Sequence, residues 1–265
     1  MLRITYISIG DELLRGRIVN TNARMLAHLL RPAGFSMRRI VTIGDEPEDI
    51  KRTVREELAQ ADVLLISGGL GPTKDDLTKH TLSSLFDMEL TWHQPTADYL
   101  EMRYAEAKLV LNDSTRQQAL MPDGCTVLPN DQGTAPGMLF EEDDKMIFSL
   151  PGVPFELKHL VNKQVLPRLS KLEGTARFYL QKVLRTSGIS ESSAAESLND
   201  VHEIFPPYIK LAYLPRRDGL WLELQAIGPI ALQTEGEKRF EEIFSRMREA
   251  IGDRAYAESG EALPD

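Results

Sequence analysis

The sequence is poor in the residues that small secreted domains and zinc modules depend on. One cysteine, Cys125, stands alone in 265 residues, so neither an internal disulfide nor a cysteine zinc site is possible. The five histidines, His28, His80, His93, His159 and His202, are scattered and share no metal-ligand spacing. Apolar runs such as Val63-Leu64-Leu65-Ile66 are a few residues long, whereas a membrane span needs roughly 20. The N-terminus lacks both a long apolar stretch and a small-residue cleavage site, and we therefore expect a cytoplasmic protein without a signal peptide or membrane contact. Positive charge is also short. Lys and Arg number 31 against 40 Asp and Glu, a formal net charge of −9, which argues against a general phosphate-backbone binder. A hydrophobic share of 42% excludes a disordered chain.

What is present is alternation. Arg3 to Ile9, Met37 to Ile43 and Asp62 to Ser67 read as strands, and Thr21 to Leu30 and Glu48 to Ala61 as helices, from apolar spacing and from breakers such as Pro32 and Gly34. A helix starts near Leu77, and Ala97 to Leu111 is helical. Further strands follow at Val127, Met138 to Phe140 and Met146 to Leu150, then a helix from Phe155 to Leu166 stopped by Pro167. Strand-helix alternation predicts a three-layer α/β/α domain with a mostly parallel sheet, whose site lies at the carboxyl ends of the strands. Beyond Ser170 the pattern changes to β-α-β-β-α with a last short strand near Ala255 to Ala257, a small α+β module. We assign residues 1–172 to the first domain, 173–257 to the second and 258–265 to a tail.

The densest chemistry is Gly68-Gly69-Leu70-Gly71-Pro72-Thr73-Lys74-Asp75-Asp76-Leu77-Thr78. Glycines after an apolar strand let the backbone turn and approach a ligand closely. Their N–H groups, with a helix start behind them, suit a phosphate. Asp75 and Asp76 either cap the helix or hold a divalent cation through hard oxygen donors. Two more acidic turns follow strands, Gly10-Asp11-Glu12 and Gly44-Asp45-Glu46. In a parallel sheet these ends converge, so Asp11, Glu12, Asp45, Asp75 and Asp76 could surround one cation. Asn20-Thr21-Asn22 either caps a helix or sends an amide to a ligand. The loop Gln132-Gly133-Thr134-Ala135-Pro136-Gly137 either lines a pocket or is a tight turn. Lys79 is either solvated or a phosphate contact. Neither a P-loop ending nor Gly-x-Ser-x-Gly occurs.

In order along the chain, Ile9-Gly10-Asp11-Glu12-Leu13-Leu14-x-Gly16, Asn20-Thr21-Asn22, Gly44-Asp45, the glycine cluster through Thr78-Lys79, Gln118-Ala119, Gly133-Thr134-Ala135-Pro136-Gly137 and Leu150-Pro151-Gly152-Val153-Pro154-x-Glu156 strongly resemble the CinA family. The first domain is then similar to the molybdopterin-binding MoaB and MogA proteins, and the second resembles a KH-like domain. The resemblance implies an ADP-ribose pyrophosphatase, a homodimer, using Mg, Mn or Co and giving AMP and ribose 5-phosphate. Asp45, Asp75 and Asp76 would hold the metal and act in catalysis. Gly68, Gly69, Gly71 and Thr73 would cradle the phosphates, and Glu12 and Asn22 would line the nucleotide site. We add Lys79, Gly133 and Thr134 as substrate contacts. His80 departs from the family, which often has Glu there. The Ser-Cys-Thr-Gly-Gly type motif of the family's amidase domain is absent, so no deamidase activity is expected. Molybdopterin or its adenylate as ligand, or a non-catalytic nucleotide sensor, are the competing readings. Residues 175–265 carry 11 Lys and Arg against 15 Asp and Glu, so we expect no nucleic-acid partner despite the KH-like pattern.

Overall fold

The computed structural model describes residues 2–73, 76–172 and 177–259. They form two compact units. The first holds residues up to Leu30 and Ser36–Leu172; the second takes in Arg31–Phe35 and the chain beyond Leu172.

The first unit is built on a six-stranded sheet of β1 (Ile4–Ile9), β2 (Met37–Ile43), β3 (Val63–Ser67), β6 (Thr126–Leu128), β7 (Gly137–Glu142) and β8 (Lys145–Leu150). The order is β2-β1-β3-β8-β7-β6. The first four strands are parallel, and β7 and β6 add antiparallel pairs. Between them in sequence, β4 (Leu90–Trp92) and β5 (Leu120–Pro122) make a separate antiparallel ribbon. All residues of β1 and β3 are buried, as expected where helices cover both faces of a parallel sheet.

The helices of this unit are α1 (Asp11–Leu14), α2 (Thr21–Leu30), α3 (Pro47–Leu58), α4 (Thr78–Leu85), α5 (Gln94–Glu106), α6 (Asp113–Arg116), α7 (Pro154–Leu160) and α8 (Leu166–Leu169). Ile50 and Val54 of α3 pack on Ile7, Ile9, Leu64 and Ile66 of the sheet, with Leu82 of α4 in the same core. The one-turn spacing on the helix and the alternation on the strands produce that contact. Because β2 and β3 flank β1 on opposite sides, the chain reverses direction of travel at the β1/β3 ends. Such a reversal opens a crevice at the carboxyl edge.

Pro167 does not stop the last helix of this unit. The helix opens into a π turn over Val161–Val165 and resumes over Leu166–Leu169, with Pro167 in its first turn. Inside a continuous helix a proline lacks a backbone donor and its ring crowds the preceding turn, and the widened turn before Pro167 relieves that crowding.

The second unit has an antiparallel sheet of order β10-β11-β9-β12, from β9 (Arg177–Thr186), β10 (Ile209–Arg216), β11 (Gly219–Pro229) and β12 (Ala255–Ser259). Short helices α9 (Glu191–Ser197) and α10 (Asn199–His202) precede β10, and α11 (Gln233–Ile251) precedes β12. Phe240, Ile243, Phe244, Met247 and Ile251 of α11 bury a helical stripe against Leu184, Leu222 and Leu224. The helical segment between β9 and β10 is two helices joined at Leu198.

Candidate functional site

A cavity of about 470 Å³ opens in the first unit at the carboxyl ends of β1, β3 and β8. Its walls include the strand-end residues Ser8 and Ser67, the glycine turn Gly68–Gly71, and Glu12, Asn22, Asp45, Asp76 and Thr134.

The glycine turn is dictated by crowding. Gly68 has φ +111°, and a Cβ there would lie 2.2 Å from the Ile9 carbonyl. Its N–H donates to the Leu150 carbonyl at 3.2 Å, tying the ends of β3 and β8. Gly69 has φ +65°, and a Cβ there would strike the Thr78 hydroxyl at 2.1 Å. At Gly71 a Cβ would meet Asp76 Oδ2 at 2.4 Å. The space a side chain would take is filled by the Ile9 carbonyl, Thr78 and Asp76, so only glycine lets this turn close against its neighbours.

The acidic turns meet only in part. Asp45 Oδ2 accepts the Asp11 N–H at 2.9 Å, so Asp45 joins two turns and still lines the cavity. Burial, then the charges of Glu12, Asp11 and Asp76, raises its carboxyl above the usual range. Asp11 turns aside to pair with Arg15 and is not in the cavity wall. Asp76 Oδ2 accepts from the Thr73 N–H at 3.0 Å and the Thr73 hydroxyl at 2.6 Å. Thr73 thus holds Asp76 in place and does not itself reach the cavity. Asp75 lies outside the described residues.

The two asparagines divide the roles that the sequence leaves open. Asn20 Oδ1 accepts the Ala23 N–H at 3.1 Å, a helix cap. Asn22 donates to the Gly152 carbonyl at 2.7 Å, and its Oδ1 is buried without a described partner.

Lys79 and Gly133 stand outside the cavity. Lys79 Nζ donates to the carbonyls of Gln117 and Gln118 at 3.2 and 3.4 Å, and burial lowers its pKa to about 8. With Thr73, His80 and Ser114 it lines a side cleft of about 60 Å³. Burial, then the Lys79 charge, lowers the His80 pKa. Gly133 lies behind the wall, where a Cβ would come 2.0 Å from Glu156 Oε2.

Glu156 is a cavity residue that carries no role in the sequence reading. It is 8% exposed, and Asn130 Nδ2 donates to its Oε2 at 2.6 Å. Burial raises its carboxyl pKa. The signal was its place in the Leu150–Glu156 motif, two positions after a proline that starts α7. Tyr6 was also missed, because a tyrosine inside an apolar strand reads as core. Its hydroxyl lies 2.6 Å from Ser67 Oγ, and burial pushes its pKa up to about 12.

Among the described residues no group of three or more His, Cys, Asp or Glu is placed to hold a metal ion by itself. The donor type nevertheless suits a hard divalent cation: Glu12, Asp45 and Asp76 line one cavity, and burial first, then the neighbouring carboxylates, raises the Asp45 carboxyl. Ions such as Mg²⁺ are commonly held by one or two carboxylates plus substrate phosphates and water rather than by a closed protein cage.

Comparison with known proteins follows the same division of the chain. Residues 5–171 match the family described as "Probable molybdopterin binding domain", and residues 181–257 match "Damage-inducible protein CinA KH domain". A CinA-like protein of Cytophaga hutchinsonii is 37% identical over 231 residues, 87% of this chain and 55% of that one. A CinA-like protein of Flavobacterium psychrophilum is 36% identical over 229 residues, 86% of this chain and 54% of that one. The chain thus spans about half the length of these relatives. The crystal structure of a CinA protein of unknown function from Thermoplasma acidophilum superposes with TM-score 0.56 at 32% identity, covering 60% of this chain and 94% of that one. With the molybdopterin-binding type of domain followed by the CinA KH domain, the chain belongs to the CinA family.

Proposed function

We propose that the first unit hydrolyses ADP-ribose to AMP and ribose 5-phosphate with the help of a divalent cation, Mg²⁺, Mn²⁺ or Co²⁺. One observation carries this reading: the glycine turn Gly68–Gly71 and the carboxylates of Asp45, Asp76 and Glu12 line a single cavity. The backbone turn at Gly68–Gly71 binds the diphosphate oxygens without side-chain obstruction. Asn22, in the cavity wall, would lie beside the sugar. Asp45 and Asp76 would hold the cation, which would supply the charge neutralisation without which these carboxylates would repel a diphosphate. Water adds across the P–O–P linkage, and the bridging oxygen leaves with one of the two phosphates. Glu156, buried and bonded to Asn130, is the carboxylate assigned to receive the proton of that water.

The test is AMP release from ADP-ribose with and without each cation, using the Asp75→Ala/Asp76→Ala double variant as control. Metal-dependent release lost in the double variant is the expected result. Release that survives in it, or none with any metal in folded protein, overturns the reading. The description of the matched family favours a second one, binding of molybdopterin or its adenylate. Tight pterin binding without AMP release would carry it, whereas nucleotide binding without turnover would point to a sensor and make His80→Glu the first reversion.

A further inference from the structure

The sheet of the second unit has two faces of different character. Leu220, Leu222 and Leu224 of β11 belong to the core formed with α11, so alternation along the strand sends Trp221 to the other face. There Trp221 stands opposite Arg185 of β9 on one side and Leu214 of β10 on the other. Arg216, two residues beyond Leu214, shares that face, and Gly219 opposite it has no side chain to keep it from leaning across. The result is one indole ring with two guanidiniums against it. Arg185 Cζ lies 4.4 Å from the ring centroid and Arg216 Cζ 5.5 Å.

Packing accounts for one of these arginines and not for both. A guanidinium stacks well on an indole face, and Trp221 is 6% exposed. A second cation on the same ring adds repulsion, because the two guanidinium carbons can be no farther apart than about 10 Å, roughly one Debye length at ordinary salt. Elsewhere in this unit arginines have carboxylates: Arg239 and Arg246 share Glu242, and Arg248 pairs with Glu258. Among the described residues no carboxylate pairs with Arg185 or Arg216. Asp218, the acidic residue next along the chain, instead accepts from the Tyr256 hydroxyl at 3.1 Å. Arg185 Nε is buried and makes no hydrogen bond to a described residue, so stacking rather than an acceptor fixes the group. Arg217, exposed in the turn that follows β10, adds a third positive charge.

We propose that Arg185 and Arg216 form a site for a single dianionic phosphate group, that of a phosphate monoester, bound by their Nη atoms beside Trp221. The planar fork of arginine matches phosphate oxygens bidentately, and paired arginines around one tetrahedral dianion are a recurrent mode of phosphate recognition. The anion would also remove the repulsion between the two cations. Residues 175–265 carry 15 Asp and Glu against 11 Lys and Arg. That balance favours one small dianion over a phosphate backbone, which would bring many charges against it. The site lies wholly in the second unit and is independent of the hydrolytic reading of the first.

The test uses the full chain carrying Trp92→Phe, which leaves Trp221 as its sole tryptophan. Inorganic phosphate or a phosphoserine peptide is added without metal at constant ionic strength and pH 8, where a monoester carries two charges. Trp221 emission and calorimetry follow binding. Saturable binding with Kd of about 1 mM is expected from two charge-assisted contacts. Arg216→Gln, at an exposed position, should weaken it about 10-fold, the lower end of the range for hydrogen bonds to charged groups. Arg216→Lys keeps the charge but loses the fork and should weaken it less. Arg185→Gln should match Arg216→Gln, and if it fails to fold, Arg216→Gln decides alone. A peptide that binds tighter than free phosphate points to a phosphorylated protein as the source, and no gain from the peptide points to a small phosphate ester. No saturable change at ten times the expected Kd, beyond that given by chloride at the same ionic strength, overturns the proposal. So does binding that Arg216→Gln leaves unaltered.

Discussion

Asp45 answers to two demands that pull its carboxyl in opposite directions. As an acceptor for the Asp11 N–H it is stabilised in the charged form, but burial and the neighbouring Glu12, Asp11 and Asp76 charges prevail, and its pKa is raised. The linkage sign follows. A carboxyl whose folded pKa exceeds its unfolded value favours the fold while protonated, and that contribution is lost as pH rises through the folded value. Ionised Asp45 therefore destabilises the fold at neutral pH. Asp45→Asn should melt higher than the parent at pH 7, and the difference should vanish below the ordinary carboxylate range. A divalent cation should raise the melting temperature of the parent and do much less for the variant. Thermal scans at several pH values, with and without Mn²⁺, check both statements. An Asn variant no more stable at neutral pH would show that the N–H acceptor role outweighs the repulsion.

At the scale of elements, the strands and helices beneath the site were legible because each obeys a local rule. Thr21–Leu30 and Met37–Ile43 stand where apolar spacing and breakers put them. The β4–β5 ribbon was not legible, since its two three-residue strands are separated by α5 and α6 and pair only through the tertiary fold. The path through Pro167 was also hidden, because a π turn has no sequence signature as plain as the proline it accommodates. The glycine turn is the element whose failure would be most local and most visible. Alanine at Gly68 has to escape both a positive φ and the Ile9 carbonyl. Overpacking and backbone strain of that kind cost about 2–3 kcal/mol. In a unit of this size that lowers Tm by roughly 4–12 °C. Gly68→Ala should show this loss by calorimetry, while Gly16→Ala, where a Cβ meets nothing within 4 Å, should lose much less. Equal losses at the two positions would assign the effect to φ alone.

For the whole molecule, what sequence could and could not fix about the site divides by distance. That acidic turns and a glycine turn share one sheet edge follows from parallel topology alone. Which carboxylates face inward does not. Asp11 is drawn off by Arg15, one helical turn away. Lys79 is drawn to the Gln117 and Gln118 carbonyls, some forty residues along the chain. Charge, by contrast, is legible without any structure, and it bears on the second unit. A KH fold clamps single-stranded nucleic acid with a Gly-x-x-Gly loop and positive charge. Here α9 and α10 are joined at Leu198, and the turn after β9 reads Ser187-Gly188-Ile189-Ser190. Residues 175–265 hold 15 acidic against 11 basic side chains. Phosphate binding grows with each cation that displaces a counterion, so an acidic surface of this kind repels the backbone it would have to hold. Fluorescence anisotropy with a labelled single-stranded RNA at low salt should show no saturable binding by the full chain at micromolar concentration. Submicromolar binding that weakens steeply with added salt would mean that a local basic surface overrides the net charge, and Arg216, the exposed last residue of β10, with Arg217, in the exposed turn after it, would be the first pair to neutralise.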